Sequence, residues 1–472
     1  MSNDSKVPPD LDPVHGRTDD PLSADRRVLV VGVVAMIGLI LVGAFSAAVF
    51  TRSACGQIGP DPVLPRASGA DLPSVVDAGL PDLFDDERAT LVEFLTGEEL
   101  TGRLGPVVAA VDVSGAERLV PASEGLVAAT GGTTTLFDAA SGEVDATASV
   151  GDGAVVGDGD TLYSLALPNP ATGQTDAIVA LDRALEAGDC LDTATVGTPF
   201  AFLLGAGAGD LLLFRVDEDG GSPLLERRDA ERGQIWATPL QTPQLPPGIS
   251  GERLDAAMDA DTVVVGRRFV ADDEAPVLSG FARDSGEEQW TASPAAFDGV
   301  APAGDGAVWV EVLAVDGEVA VLGLARDGAR DAATLVAVDT ADGEIRWVSD
   351  ADPMAPLAAS IDAGAVTVVG MAGSDLEAVR LDVAAGTQIG GTSSPSDGAA
   401  EPPARARIAD LPDATLAVAG AGATWFGDEE VAALGFDPEM AAQIVDVVSV
   451  GDVTVLLVAS DDGAVAVSYG AS

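Results

Sequence analysis

Five short phrases recur between residues 136 and 389: "LFDAASGEV" (136 to 144), "LERRDAERGQIW" (225 to 236), "GFARDSGEEQW" (280 to 290), "VAVDTADGEIRW" (336 to 347) and "VRLDVAAGTQI" (379 to 389). Each runs from apolar residues into a small polar turn that carries a glycine, and three of them close on a tryptophan. The turn glycines Gly142, Gly233, Gly286, Gly343 and Gly386 stand about 43 to 57 residues apart, except that the first interval is twice as long and has room for another copy around "VALDRALEAGD". Self-similarity at this period means that one supersecondary unit, too small to bury its own apolar face, is stacked against copies of itself.

From about residue 105 to the end, strand-like runs alternate with Gly and Asp turns, and helical periodicity is nearly absent. The chain is therefore expected to be all-β. A four-stranded propeller blade has a repeat of this length, whereas a single sandwich has none. Candidate hairpin strands begin near Leu126, Leu162, Leu211, Val263, Val308, Val366, Leu416 and Val453, which favours eight blades over the alternative of seven. Closure of such a ring would have the early run "GPVVAAVDV" complete the final blade. Two Pro-rich stretches, "TPLQTPQLPPGIS" (238 to 250) and "GGTSSPSDGAAEPPARA" (390 to 406), are expected to interrupt strand pairing as loops.

The phrase D-x-x-[ST]-G-x-x-x-W is that of the quinoprotein-like, or PQQ-like, β-propeller repeats, which residues 105–472 resemble. Asp339, Gly343 and Trp347 match its positions, with Asp342 in place of the hydroxyl residue. Gly286 and Trp290 match with Ser285, and Ala282 stands for the Asp. Asp138, Ser141 and Gly142 match with Ala146 where the Trp would be. Gly233 and Trp236 are one residue too close, and Gly390 replaces the Trp after Asp382 and Gly386. The resemblance implies that these residues dock one blade on the next. Family members that oxidise alcohols or sugars use bound quinone and calcium and commonly carry an adjacent cysteine pair; a similar propeller serves outer-membrane protein assembly as a lipoprotein.

Residues 28–50, "VLVVGVVAMIGLILVGAFSAAVF", carry no charge and are long enough to cross a bilayer as a helix. Arg26 and Arg27 precede them and Arg52 alone follows directly, a bias that puts the N-terminus in the cytoplasm and the remainder outside the cell membrane. Residues 1–27 read as a disordered cytoplasmic tail and 51–104 as an extracytoplasmic stalk. Within the stalk, "DDERATLVEFLTGEEL" predicts one short amphipathic helix that starts near Asp85 and Asp86 and stops at Gly97. Acylation at Cys55 is the lipoprotein alternative, but Arg52 stands where an aliphatic residue is expected.

The chain has 76 acidic and 24 basic residues and a formal charge of -52, so it repels polyanions and is not expected to bind nucleic acid. The one histidine, His15, lies in the predicted tail, which leaves no imidazole outside for Ser-His-Asp or Cys-His catalysis or a conventional zinc site. The two cysteines, Cys55 and Cys190, are disulfide candidates on the exported side, where oxidising conditions allow a bridge. "DEDGG" (217 to 221) and "GDGAVVGDGD" (151 to 160) lack the carboxylate spacing of a calcium loop and read as hairpin turns. The expectation is a membrane-attached, noncatalytic propeller without catalytic, cofactor or metal residues. It would bind an envelope protein or a peptide or carbohydrate ligand; the alternative is a PQQ- and calcium-dependent dehydrogenase.

Overall fold

The computed structural model of the 472-residue chain describes residues 67–68 and residues 89–470, the latter with interruptions mostly in the connections between strands, the longest at 241–253 and 396–405. The predicted tail, the apolar segment 28–50 and Cys55 lie outside the described residues. No described helix is long and apolar enough to cross a membrane.

Strands gather into eight antiparallel sheets, and in each the chain runs outward strand by strand from the inner edge, except that the outermost strands of the first and last sheets come from earlier in the chain. The inner strands are Ala116–Ala122, Val155–Asp158, Ala201–Gly207, Leu254–Met258, Val308–Asp316, Ala355–Asp362, Arg407–Leu411 and Gln443–Val450, here blades 1 to 8. Each inner strand touches the next, and that of blade 8 touches that of blade 1, so the sheets close into a ring: a β-propeller of eight blades. The eight strand starts read from the sequence fall in eight different blades, seven of them on the second strand and Val308 on an inner one.

Burial explains which residues form which strand. Second strands are sandwiched between neighbouring blades and are apolar without alternation, as in Thr262–Arg267, Val319–Arg326 and Ala414–Ala419, where nearly every residue is buried. Outermost strands bury every second residue and alternate, as in Glu288–Ala292 and Ile345–Val348. Val, Leu and Ala supply most of the buried side chains, and Phe137, Phe214, Phe281 and Phe426 fill the larger gaps.

Blade 8 is completed from the other end of the domain. Val107–Asp112 pairs antiparallel with Gly463–Gly470 as its outermost strand, with Val111 opposite Ala466. Blade 1 carries a fifth strand: Ala67–Ser68 pairs outside Val144–Ala148, Ser68 opposite Ala146.

Two sequence expectations are corrected. The helix expected to stop at Gly97 does stop there, as α1 (Ala89–Thr96), but it is not single: α2 (Glu98–Leu104) follows at once with Gly97 as its N-cap. Its carbonyl accepts Thr101 N at 2.9 Å and Thr101 Oγ1 at 2.8 Å, so the chain bends and re-enters a helix at once. Leu95, Leu100 and Leu104 are buried against blades 7 and 8, and the Tyr469 hydroxyl donates to Leu95 O at 3.0 Å. The second correction concerns the Pro-rich stretches. Of the expected loops, residues 238–239 end the strand Gly233–Pro239 and 390–395 belong to the strand Gln388–Pro395, with Pro239 opposite Leu224 and Pro395 opposite Asp375; 241–250 and 396–405 lie outside the described residues. Both are outermost strands, whose outward N–H groups have no ladder partner to lose, so proline is tolerated at their ends.

Candidate functional site

The recurring phrases form the turn between the third and fourth strands of a blade. In three of them the aspartate folds back on its own turn: Asp138 Oδ1 accepts Ala140 N, Ser141 N and Ser141 Oγ, Asp339 Oδ1 accepts Ala341 N, and Asp382 Oδ1 accepts Ala384 N and Ala385 N, all at 2.7–3.1 Å. The turn glycine donates its N–H to the residue four earlier, Gly343 to Asp339 O at 2.9 Å and Gly386 to Asp382 O at 2.8 Å. That closure needs left-handed backbone, and Gly343 has φ 74°. The hydrogen bonds hold the Asp138 carboxyl below the ordinary aspartate range, those from Ser141 foremost. Asp339 is lowered by Ala341 N–H and then by Arg346.

Tryptophan joins these turns across blades. Trp236 Nε1 of blade 3 donates to Arg283 O of blade 4 at 2.6 Å, Trp290 of blade 4 to Thr340 O of blade 5 at 2.6 Å, and Trp347 of blade 5 to Val383 O of blade 6 at 2.7 Å. Each ring lies on the next blade's turn glycine: a Cβ at Gly286, Gly343 or Gly386 would come within 2.5 Å of the indole. Glycine is required there twice, by φ and by the ring. A β-bulge stands immediately before the tryptophan position in blades 3, 4 and 5, and likewise before Ala146 and Gly390 in blades 1 and 6. Trp236, one residue too close to Gly233 by the repeat, reaches its carbonyl all the same.

At the junction of blades 6 and 7, where Gly390 replaces tryptophan, Arg380 makes the crossing. It stands opposite Gly390, and its Nη1 donates to Phe426 O at 3.4 Å. The signal in the sequence was Gly390 itself, a missing ring whose space had to go to something else.

Charged residues also lock blades. Asp210 Oδ2 accepts Arg227 Nε and Nη2 within blade 3 and Arg283 Nη2 from blade 4, at 2.5–2.8 Å, beneath Trp236. Asp255 of blade 4 accepts Val312 N of blade 5 at 3.1 Å, and Ser360 of blade 6 donates to Asp410 of blade 7 at 2.6 Å. Asp446 ties three blades: its Oδ2 accepts Leu119 N of blade 1 at 2.7 Å, and its Oδ1 lies 3.4 Å from Arg407 Nε of blade 7. Burial pushes its carboxyl up, against the opposing pull of Leu119 N–H, Arg407, Val447 N–H and Arg118. Burial lowers the Arg267 guanidinium to about 10, and its Nη1 donates to Ser279 Oγ. Sequence reasoning missed all of these, because each depends on the register between strands: 12 to 17 residues apart for Arg267–Ser279 and Asp210–Arg227, and far more for the contacts between blades.

Thus the structure brings Trp236 to Gly286, Trp290 to Gly343 and Trp347 to Gly386, while Asp138 and Gly142 close a turn in blade 1 with no tryptophan. Cys190 is on the outermost strand of blade 2, Ala187–Asp192; its candidate partner Cys55 is not among the described residues. Residues 217–221 and most of the turns in 151–160 also lie outside them. Among the described residues, no group of three or more His, Cys, Asp and Glu side chains is placed to hold a metal ion.

No protein-family model matches the chain, and no curated protein matches it in sequence. Solved structures do match. A computationally designed protein, Ika8, superposes with a TM-score of 0.52 at 13% identity, over 76% of this chain and 99% of that one. BamB from Moraxella catarrhalis gives 0.46 at 15% identity over 77% and 99%. A quinohemoprotein alcohol dehydrogenase from Pseudomonas putida HK5 gives 0.47 at 12% over 77% and 76%. At these identities the likeness is one of fold.

Proposed function

We propose that the chain is a single-pass membrane protein whose exported PQQ-like propeller is a noncatalytic binding or assembly scaffold of the cell envelope. The supporting observation is where its reactive-looking residues go. The indoles of Trp236, Trp290 and Trp347 are spent on neighbouring carbonyls and glycines, and Asp210 and Asp446 are committed to arginines and backbone N–H groups inside the ring. A ring locked in this way holds its connecting loops in fixed relation, which suits recognition of a partner. The charge-free segment 28–50, with Arg26 and Arg27 before it, is the proposed membrane span, with the N-terminus in the cytoplasm.

Two measurements on intact cells test the reading. Asp284, whose side chain is 98% exposed, is replaced by cysteine and treated with a membrane-impermeant thiol reagent, with the parent chain as control. Labelling before lysis is expected; labelling only after lysis overturns the topology. Crosslinking is expected to recover a reproducible envelope partner. Recovery of none, with dye reduction by the purified chain only when PQQ and calcium are added, would instead make the protein a dehydrogenase.

A further inference from the structure

Two blades have a small residue at the tryptophan position, and their outer edges differ. In blade 1, Ala146 is paired with Ser68, so a segment of the chain itself extends the sheet at that residue. In blade 6, Gly390 sits in Gln388–Pro395, whose eight residues make it the longest outermost strand of the ring, and nothing among the described residues pairs with its outer side. Exposed edges can be guarded by charge, as by Glu288 and Arg346 on the outermost strands of blades 4 and 5, whereas the shorter Gly233–Pro239 of blade 3 and Val431–Gly435 of blade 7 carry none. Gln388–Pro395 carries none in a chain of net charge -52.

Its two ends differ in chemistry. Ile389, on the bulge, is 59% exposed, and Val431 of blade 7, 38% exposed, lies against the following residue, its Cγ2 3.2 Å from where a Cβ at Gly390 would stand. At the other end, Ser393 is opposite Glu377 and Pro395 is opposite Asp375. Burial, then Asp352 and Asp375, raise the Glu377 carboxyl, a mark of crowded negative charge. The apolar and acidic ends are about five residues apart, roughly 17 Å of extended chain.

Resting on the scaffold reading above, we propose that an extended, cationic segment of another polypeptide adds to the edge of blade 6 as a fifth strand. Main-chain hydrogen bonds to Gln388–Pro395 hold it, an apolar side chain covers Ile389 and Val431, and a Lys or Arg lies beside Asp352, Asp375 and Glu377. A second copy of this chain is the wrong occupant, since it would bring the same acidic surface against this one.

The probe is a fluorescent (Lys-Val)₄ peptide, titrated by anisotropy against the purified full-length chain. N-methylation of every second residue is expected to weaken binding about tenfold in one frame and little in the other, because only one set of N–H groups faces the edge. Ile389→Asp and the pair Asp375→Asn/Glu377→Gln are each expected to weaken it about tenfold, with unchanged urea midpoints, and (Glu-Val)₄ is expected not to bind. Equal binding of both N-methylated frames, or indifference to Ile389→Asp, would show mere electrostatic adhesion and overturn the proposal. So would a dimer in sedimentation that Ile389→Asp dissociates. Failure of the peptide while intact cells still yield the same crosslinked partners with Ile389→Asp rejects the blade 6 site and leaves the scaffold reading standing; absence of any crosslinked partner for the parent chain rejects the latter.

Discussion

Replacing Gly343 by alanine puts a methyl group where the Trp290 ring already lies. The left-handed backbone at φ 74° costs an L-residue about 1–2 kcal/mol. The new Cβ would stand 2.5 Å from the indole, and relieving that overlap costs a further 1–3 kcal/mol, roughly the range for an overfilled core. A ring pushed off the turn also stretches the 2.6 Å bond from Nε1 to Thr340 O, worth about 1 kcal/mol. The expected total is about 3–6 kcal/mol. Gly317 is the internal control: its φ is 54° and a Cβ there meets nothing within 4 Å, so Gly317→Ala should cost the backbone share alone. Equilibrium urea unfolding followed by far-ultraviolet circular dichroism measures both. In a Trp290→Leu background the Gly343→Ala cost should fall toward that of Gly317→Ala, a coupling of about 2–3 kcal/mol. If Gly343→Ala costs no more than Gly317→Ala, or if its cost is the same in both backgrounds, the ring-on-glycine account of blade docking is refuted.

Tyr469→Phe removes the hydroxyl that reaches Leu95 O and should destabilise the chain by about 1–2 kcal/mol in the same urea assay, with α1 exchanging its amide hydrogens faster. Asp446 titrates above the ordinary aspartate range, so the folded ring favours its protonated form; the stability this gives is full below the unfolded value and is lost as pH rises through the raised folded one. Wild-type minus Asp446→Asn urea stability should therefore decline as pH rises from the ordinary aspartate range through the raised folded value, and a rising difference would contradict the burial argument. Asp339 has the opposite sign, because its carboxyl is lowered by Ala341 N–H and Arg346; its contribution is present above the unfolded value and lost as pH falls through the depressed one. Asp339→Ala should thus cost a few tenths to about 1 kcal/mol at neutral pH and progressively less in acid, read as the difference in urea midpoints.

Much of the ring was written locally. Asp339, Gly343 and Trp347 occur at fixed spacing because one carboxylate must cap its own turn, one residue must take positive φ, and one ring must reach the next blade; such demands leave residue types behind. The outermost strand of blade 8 was legible in "GPVVAAVDV" because a closed circle needs a partner for its last edge. The strand at Gln388–Pro395 was misread as loop because Gly, Ser and Pro are poor in a central strand yet acceptable on an edge, and composition alone does not say which edge a segment will occupy. Arg380, Asp210 and Asp446 were invisible for a different reason: each finds its partner only after register between distant strands is set. The helix after Gly97 leaves no mark of its own, because a glycine that ends one helix and caps the next looks, in sequence, like one that only ends it.

The pairing of Val107–Asp112 with Gly463–Gly470, and of Leu95 with Tyr469 across 374 residues, has a bearing on how the protein is made. A chain cut just before residue 463 lacks the strand on which Val107–Asp112 pairs, so that strand loses its ladder and Leu95 O its hydrogen bond while the other seven sheets keep theirs. Blade 8 therefore forms only when segments more than 350 residues apart meet, and a product shortened at that point would leave apolar surface open to proteases.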